Sequence, residues 1–200
     1  MLGGGGVAGI AWETGVLAGL AAGGVDCRTA DKILGTSAGA TVAAQITSGL
    51  PMEELFRRQA DPVLQNTELP SGVSVERLMA MFEGMYRRGP DLATVRREAG
   101  ALALAAETVP EAVRWGVIAS RLPRHEWPRE ADIELVVVDA TTGDHEVFAR
   151  GSGWTSWTRS RRAARSPGCG RRSRSGRAAT WTAACGPGST PTWWPVSRGC

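Results

Sequence analysis

Apolar and small residues cluster along the chain with short polar breaks that read in turn as strand, loop and helix. Met1-Leu2 precede Gly3-Gly4-Gly5-Gly6-Val7-Ala8-Gly9, and an apolar run extends from Ile10 to about Ala22 with Gly15 and Gly19 inside it. This pattern predicts a strand end, a glycine loop and a closely packed helix. Only two residues stand before the loop, fewer than the roughly five of an ordinary strand, so the true start is expected upstream. Asp31–Leu34 reads as a short buried strand, Gly35-Thr36-Ser37-Ala38-Gly39 follows at once, and Ala40–Ser48 reads as a helix ending near Gly49-Leu50-Pro51. Apolar residues three and four apart predict helices over Met52–Ala60, Val75–Arg88, Leu92–Glu107 and Pro110–Arg121. Ser74 suits the cap of the second of these, and Pro110 the first turn of the last.

Within the second predicted helix, Leu78, Met79, Met81, Phe82, Met85 and Tyr86 form a Met- and aromatic-rich stripe. Core packing explains it; so would an acyl-chain groove, because thioethers adapt to flexible chains. Arg87-Arg88 and Arg96-Arg97 read as solvated faces with the option of meeting a lipid phosphate.

Composition changes the picture by splitting the chain in two. Residues 1–150 hold 14 Arg and Lys against 20 Asp and Glu, net −6, whereas residues 151–200 hold nine Arg and no acid, net +9, which together give the overall +3. The last fifty residues contain no Leu, Ile, Met, Phe or Tyr, yet five of the eight Trp and three of the four Cys. Such a stretch cannot build an ordinary core, so the body is expected at 1–150 and an aberrant, disordered tail at 151–200. Cys27, Cys169, Cys185 and Cys200 show no metal spacing and no regular disulfide framework. No apolar run reaches the ~18 residues of a membrane span, and no secretory signal opens the chain, so a cytoplasmic location is expected.

Two motifs carry chemistry. Gly4-x-Gly6-x-x-Gly9 lets backbone N–H groups face a ligand or a reacting oxygen without an intervening Cβ. It also fits a dinucleotide fingerprint, with Asp26 roughly 20 residues further on, and a tight turn needing glycine only for packing would look the same. Gly35-x-Ser37-x-Gly39 between strand and helix has the form of a nucleophile elbow, where small residues two positions either side let strand and helix pass closely. A serine there stands at a helix N-terminus, whose partial positive charge favours an anion formed on attack.

Together the glycine loop and Gly-Thr-Ser-Ala-Gly about thirty residues later resemble the patatin-like phospholipase family. The resemblance covers residues 1–150 and extends to Ile133–Asp139, Thr142-Gly143 and Glu146-Val147-Phe148, which look like the family's later strand and hairpin. It implies a three-layer α/β/α fold with a mostly parallel central sheet. It also implies a lipid acyl hydrolase with Ser37 as nucleophile and an oxyanion hole from Gly4, Gly5, Gly6, Val7, Ala8 and Gly9 with Ala38. The family often has Arg or Lys where Ala8 stands, so a charge is missing there. The resemblance calls for a lipid or other acyl-ester substrate, transient membrane-surface contact, and no cofactor, metal or nucleic acid. His125 and His145 are assigned to the surface, because a single late Asp takes the serine proton in this family. No Asp follows Asp144.

The tail supplies a reason. It repeats Trp154-Thr155, Trp157-Thr158 and Trp181-Thr182, and three explanations compete: a basic arm for nucleic acid, a membrane-surface segment, which lacks an amphipathic period, or a shifted reading frame. Trp is TGG and Thr is ACN, so one base upstream every Trp-Thr pair reads NTG-GAC: Val, Leu or Met, then Asp. The 22 Arg and single Lys suggest a GC-rich gene, and with G or C at free positions Trp181–Gly186 permits Met-Asp-Gly-Gly-Val-Arg. That string looks like the family's missing Asp-Gly-Gly motif. The expectation is a frameshift between about Glu146 and Trp154, leaving a chain inactive for want of the late Asp. A nucleotide-binding α/β module and a basic nucleic-acid-binding tail protein are the alternatives.

Overall fold

The computed structural model describes residues 1–66, 91–105, 111–150 and 180–181, with six isolated positions between 76 and 87. Helix α1 spans Gly6–Ala22, a 3-10 turn Cys27–Thr29, strand β1 Ile33–Gly35, α2 Ala38–Ile46 and α3 Met52–Ala60. Beyond them come α4 (Leu92–Ala105), α5 (Glu111–Arg121), β2 (Ile133–Asp139), β3 (His145–Phe148) and β4 (Thr180–Trp181). Of the predicted second helix, the described Glu76, Met79, Ala80, Glu83, Gly84 and Arg87 are helical, and Met79 is exposed. The rest of its Met and aromatic stripe, Ser74 and Pro110 lie outside the described residues.

The α/β class holds, and the described part of the sheet combines a parallel pair with antiparallel neighbours. β1 pairs parallel with β2, Ile33 opposite Ile133 and Gly35 opposite Leu135, and Leu2 adds a parallel bridge to Gly35 on the other side. β3 returns antiparallel along β2, from Leu135 opposite Phe148 to Val138 opposite His145. Gly143, at φ +76°, makes that hairpin turn, with its N–H donating to the Asp139 carbonyl at 2.8 Å. The expected tail also reaches the sheet: Trp181 and Thr180 pair antiparallel with Val138 and Asp139. Since β3 holds one edge of Val138, β4 takes the edge that β1 leaves open past Gly35.

The core lies between this sheet and the first three helices. All nine residues of α2 are buried, and its Ala, Gly and Val side chains let α1 and β1 approach closely. Ile10 and Leu17 of α1, Leu55 of α3, and Ile33 and Ile133 of the sheet close around it. Burying each large aliphatic side chain contributes about 1.5–3 kcal/mol. α3 has Glu53 and Glu54 in its first turn and Arg57 and Arg58 in its last, matching the helix dipole, and Glu54 pairs with both arginines. α1 is different: its sole charged residue, Glu13, is buried, while Trp12, Val16 and Leu20 are exposed.

The far end of β2 is held by backbone contact. Gly100 of α4 lies directly on Ala140, whose carbonyl oxygen a Cβ at position 100 would overlap, and the Arg96 Nε donates to the Gly143 carbonyl at 2.5 Å. Gly100→Ala is therefore expected to lower stability by about 1–3 kcal/mol, read as a drop in urea midpoint; an unchanged midpoint would contradict the contact.

After α1, Gly23 and Gly24 end the helix, Gly24 at φ +89°, and Asp26 caps the 3-10 turn by accepting the Arg28 N–H at 3.0 Å. The Arg28 side chain also donates to both Asp26 oxygens, at 2.8 and 2.7 Å to the nearer contacts. These bonds bring the Asp26 carboxyl from its ordinary 3.8 down to about 2. A depressed carboxyl stabilises the fold above its unfolded value and loses that effect as pH falls through the folded one. Asp26→Asn should thus lower the urea midpoint at neutral pH, with the difference from the parent closing between about pH 4 and 2. A difference undiminished at pH 2 would rule out the charge as its source.

Candidate active site

Ser37 follows β1 and caps α2 with φ +54° and ψ −117°. It has the one positive φ of any non-glycine residue among the described residues, a conformation costing on the order of 1–3 kcal/mol. The surroundings enforce it. A Cβ on Gly35 would come within 2.6 Å of the Gly39 carbonyl oxygen, and a Cβ on Gly39 would overlap the Leu2 backbone. Both glycines are needed because three backbone segments cross at van der Waals contact, leaving no room for a side chain two positions either side of the serine. Ser37 itself is 6% exposed.

The glycine loop is bonded to this turn. The Leu2 N–H donates to Leu34 at 2.8 Å and the Leu2 carbonyl accepts from Thr36 at 3.2 Å, so the chain start continues the sheet edge beside β1. One residue on, the Gly3 carbonyl accepts the Gly39 N–H at 2.7 Å. Gly9 then brings α1 against α2, since a Cβ there would lie 3.1 Å from the Ala38 Cβ. The N-termini of α1 and α2 thus meet at Ser37.

The glycine loop is shorter than its sequence suggests. The helix begins at Gly6, at φ +60°, where a loop was expected as far as Gly9. The reason is that Gly5 and Gly9 stack closely: a Cβ on Gly5 would lie 2.8 Å from the Gly9 Cα, and the Gly9 N–H donates to the Gly5 carbonyl at 2.9 Å. That first helical bond commits the Gly9 N–H, and Gly9 packs closely on Ala38. The N–H groups of Gly6, Val7 and Ala8 fall in the first turn, where no intrahelical acceptor exists, and Ala38 occupies the same position in α2. Gly4 and Gly5 carry the chain between Gly3 and this turn. Thr36, through its bond to Leu2, ties the elbow to the sheet edge.

The acidic partner of a dinucleotide site is not free in this arrangement. Asp26, the residue the fingerprint would place on a ribose, is occupied by Arg28 on both oxygens. Neither histidine is built into the elbow: His125 lies against the Ala119 carbonyl at 3.0 Å, and His145 starts β3 opposite Val138. Among the described residues no group of three His, Cys, Asp or Glu could hold a metal, and no helix is long and apolar enough to cross a membrane.

One site residue escaped the sequence reading. Glu13 is buried, and its Oε1 accepts the Gly3 N–H at 2.5 Å, while Oε2 is buried with no hydrogen-bond partner among the described residues. Burial pushes its carboxyl above the ordinary 4.5, opposed by the Gly3 N–H and the Met1 amino group. The signal was available: Glu13 lies three residues after Ile10 and four before Leu17, on the core face of an otherwise uncharged helix.

Comparison with known proteins places the chain. No curated protein and no solved structure matches it. The family model described as patatin-like phospholipase matches residues 1–166, which includes the glycine loop, the elbow, the β2–β3 hairpin and a stretch past residue 150. The chain belongs to the patatin-like phospholipase family, a family of lipid acyl hydrolases.

Proposed function

We propose that residues 1–150 are the front part of a serine lipid acyl hydrolase domain, in which Ser37 attacks the ester carbonyl carbon. The observation that carries this reading is the strained Ser37 backbone at the junction of two helix N-termini. As the C–O double bond opens, negative charge gathers on the carbonyl oxygen, and the N–H groups of Gly6, Val7, Ala8 and Ala38 are the ones suited to receive it. The alkoxide leaves, an acyl-serine remains, and water releases the acid. The exposed Val7, Trp12 and Val16 of α1 begin at the glycine loop and favour transient contact with a membrane surface where lipid esters reside.

The serine proton needs an acceptor, because a hydroxyl at its free pKa is a weak nucleophile. The late Asp that would take it is absent from this chain, so we expect no turnover as written. A frame shift before Trp154 accounts for the loss. Its support is the NTG-GAC reading forced at each Trp-Thr pair, which puts an Asp after each of them in the shifted frame. Residues 151–200 are on this reading a frame-shifted tail, and the frame-restored domain would act in the cytoplasm without metal or cofactor.

A nitrophenyl ester assay separates the outcomes. The full chain should hydrolyse it no faster than its own Ser37→Ala variant. A gene with one base restored between the codons for Glu146 and Trp154 should gain turnover by about a hundredfold or more, and lose it again with Ser37→Ala. Turnover in the chain as written that Ser37→Ala abolishes would refute the loss of activity, and turnover in the restored protein that survives Ser37→Ala would refute Ser37 as the nucleophile.

A further inference from the structure

Glu13 is the only charged residue among the described buried ones. A carboxyl with one satisfied and one orphaned oxygen is less favourable in a core than an apolar residue of similar size. Leu or Met would fill the volume between Ile10 and Leu17 without that cost, so packing does not explain Glu at this place. What Glu13 alone supplies is an acceptor for the Gly3 N–H. The carbonyl of the same residue accepts the Gly39 N–H. Gly3 is therefore gripped on both sides, by α1 through Glu13 and by the elbow through Gly39, immediately before the chain enters Gly4–Gly6.

We propose that Glu13 is a positioning residue, whose carboxylate holds Gly3 and thereby fixes the glycine loop in register with the Ser37 elbow. The proposal rests on the hydrolase reading for its purpose, but the anchor itself can be observed without turnover. A glycine-rich segment has the largest conformational freedom of any sequence, and donors that must meet a developing charge need to be fixed in advance. A charge-assisted bond is roughly twice as strong as a neutral one, which suits a carboxylate for this hold. The neighbourhood contains little else that titrates. α2 and β1 have no charged residue, the 3-10 turn packed on α1 carries Cys27 and an Arg28 paired with Asp26, Glu53 of α3 is exposed, Glu54 of α3 is paired with Arg57 and Arg58, and the Met1 amino group is the charge that acts on Glu13.

Amide hydrogen exchange in the full chain tests the anchor. The Gly3 N–H should be protected in the parent and in Glu13→Gln, whose amide oxygen still accepts. It should lose about tenfold or more of that protection in Glu13→Leu, with Val42 and Ala43 in α2 unchanged. In the parent, Gly3 protection corrected for intrinsic base catalysis should rise as Glu13 ionises, and in Glu13→Gln it should be flat with pH. Equal Gly3 protection in all three proteins, or loss at Val42 and Ala43 matching that at Gly3, would overturn the proposal. Should Glu13→Leu fail to fold, the pH profiles of the parent and Glu13→Gln still decide. In the frame-restored protein, Glu13→Leu should lower kcat by about tenfold with little change in KM. Absence of turnover in the restored parent would count against the hydrolase reading and leave the exchange result to judge the anchor.

Discussion

The contact on which the rest depends is the crossing of the Leu2–Gly3 backbone over Gly39. No side chain fits at position 39, because a Cβ there would occupy the Leu2 backbone, and the two segments are joined by the Gly39 N–H donating to the Gly3 carbonyl. Once that crossing is made, Ser37 has no relaxed conformation open to it and remains at φ +54°. The strain is balanced by what surrounds it: a wholly buried α2, the parallel pairing of β1 with β2, and Leu2 bonded on both of its polar sides. A strained residue persists only where packing over-determines it, and this one is held from three directions.

The same crossing explains why the two motifs occur together. Either would be a weak signal alone. Gly3–Gly9 is needed to bring one helix N-terminus beside the elbow, and Gly35 and Gly39 are needed to let it come that close. Sheet, loop and helices therefore specify a single arrangement at Ser37, consistent at the levels of sequence, backbone and packing. The arrangement lies within the residues that match the patatin-like phospholipase family, and the proposed acyl transfer is the chemistry that would use it.

Much of this was legible in the residues. The bounds of α3 follow from Pro51 and from Met52 and Leu55 at helical spacing, and the observed helix ends where the pattern does. The hairpin of β2 and β3 stands where the family resemblance implied it, across Ile133–Asp139, Thr142-Gly143 and Glu146-Val147-Phe148. The start of α1 was not, because glycine's low helix propensity favours a loop and only the stacking of Gly5 on Gly9 overrides it. α2 likewise begins at Ala38, since the elbow turns straight into the helix. The sheet's mixed character depends on β3 and β4, and β4 comes from a stretch whose composition argues against any strand. The place of Glu13 on the core face was legible from its spacing to Ile10 and Leu17, but its partner was not, because the bond to the Gly3 N–H depends on how the glycine loop folds back ten residues earlier.

The central claim is that Ser37 is a nucleophile set in a preformed oxyanion site. The most direct test is to treat the frame-restored protein with a fluorophosphonate and map the adduct by peptide mass spectrometry. The account predicts a single phosphonylated residue, Ser37, with no adduct in Ser37→Ala. Labelling of another serine, or none at Ser37 in a protein that hydrolyses esters, would contradict it.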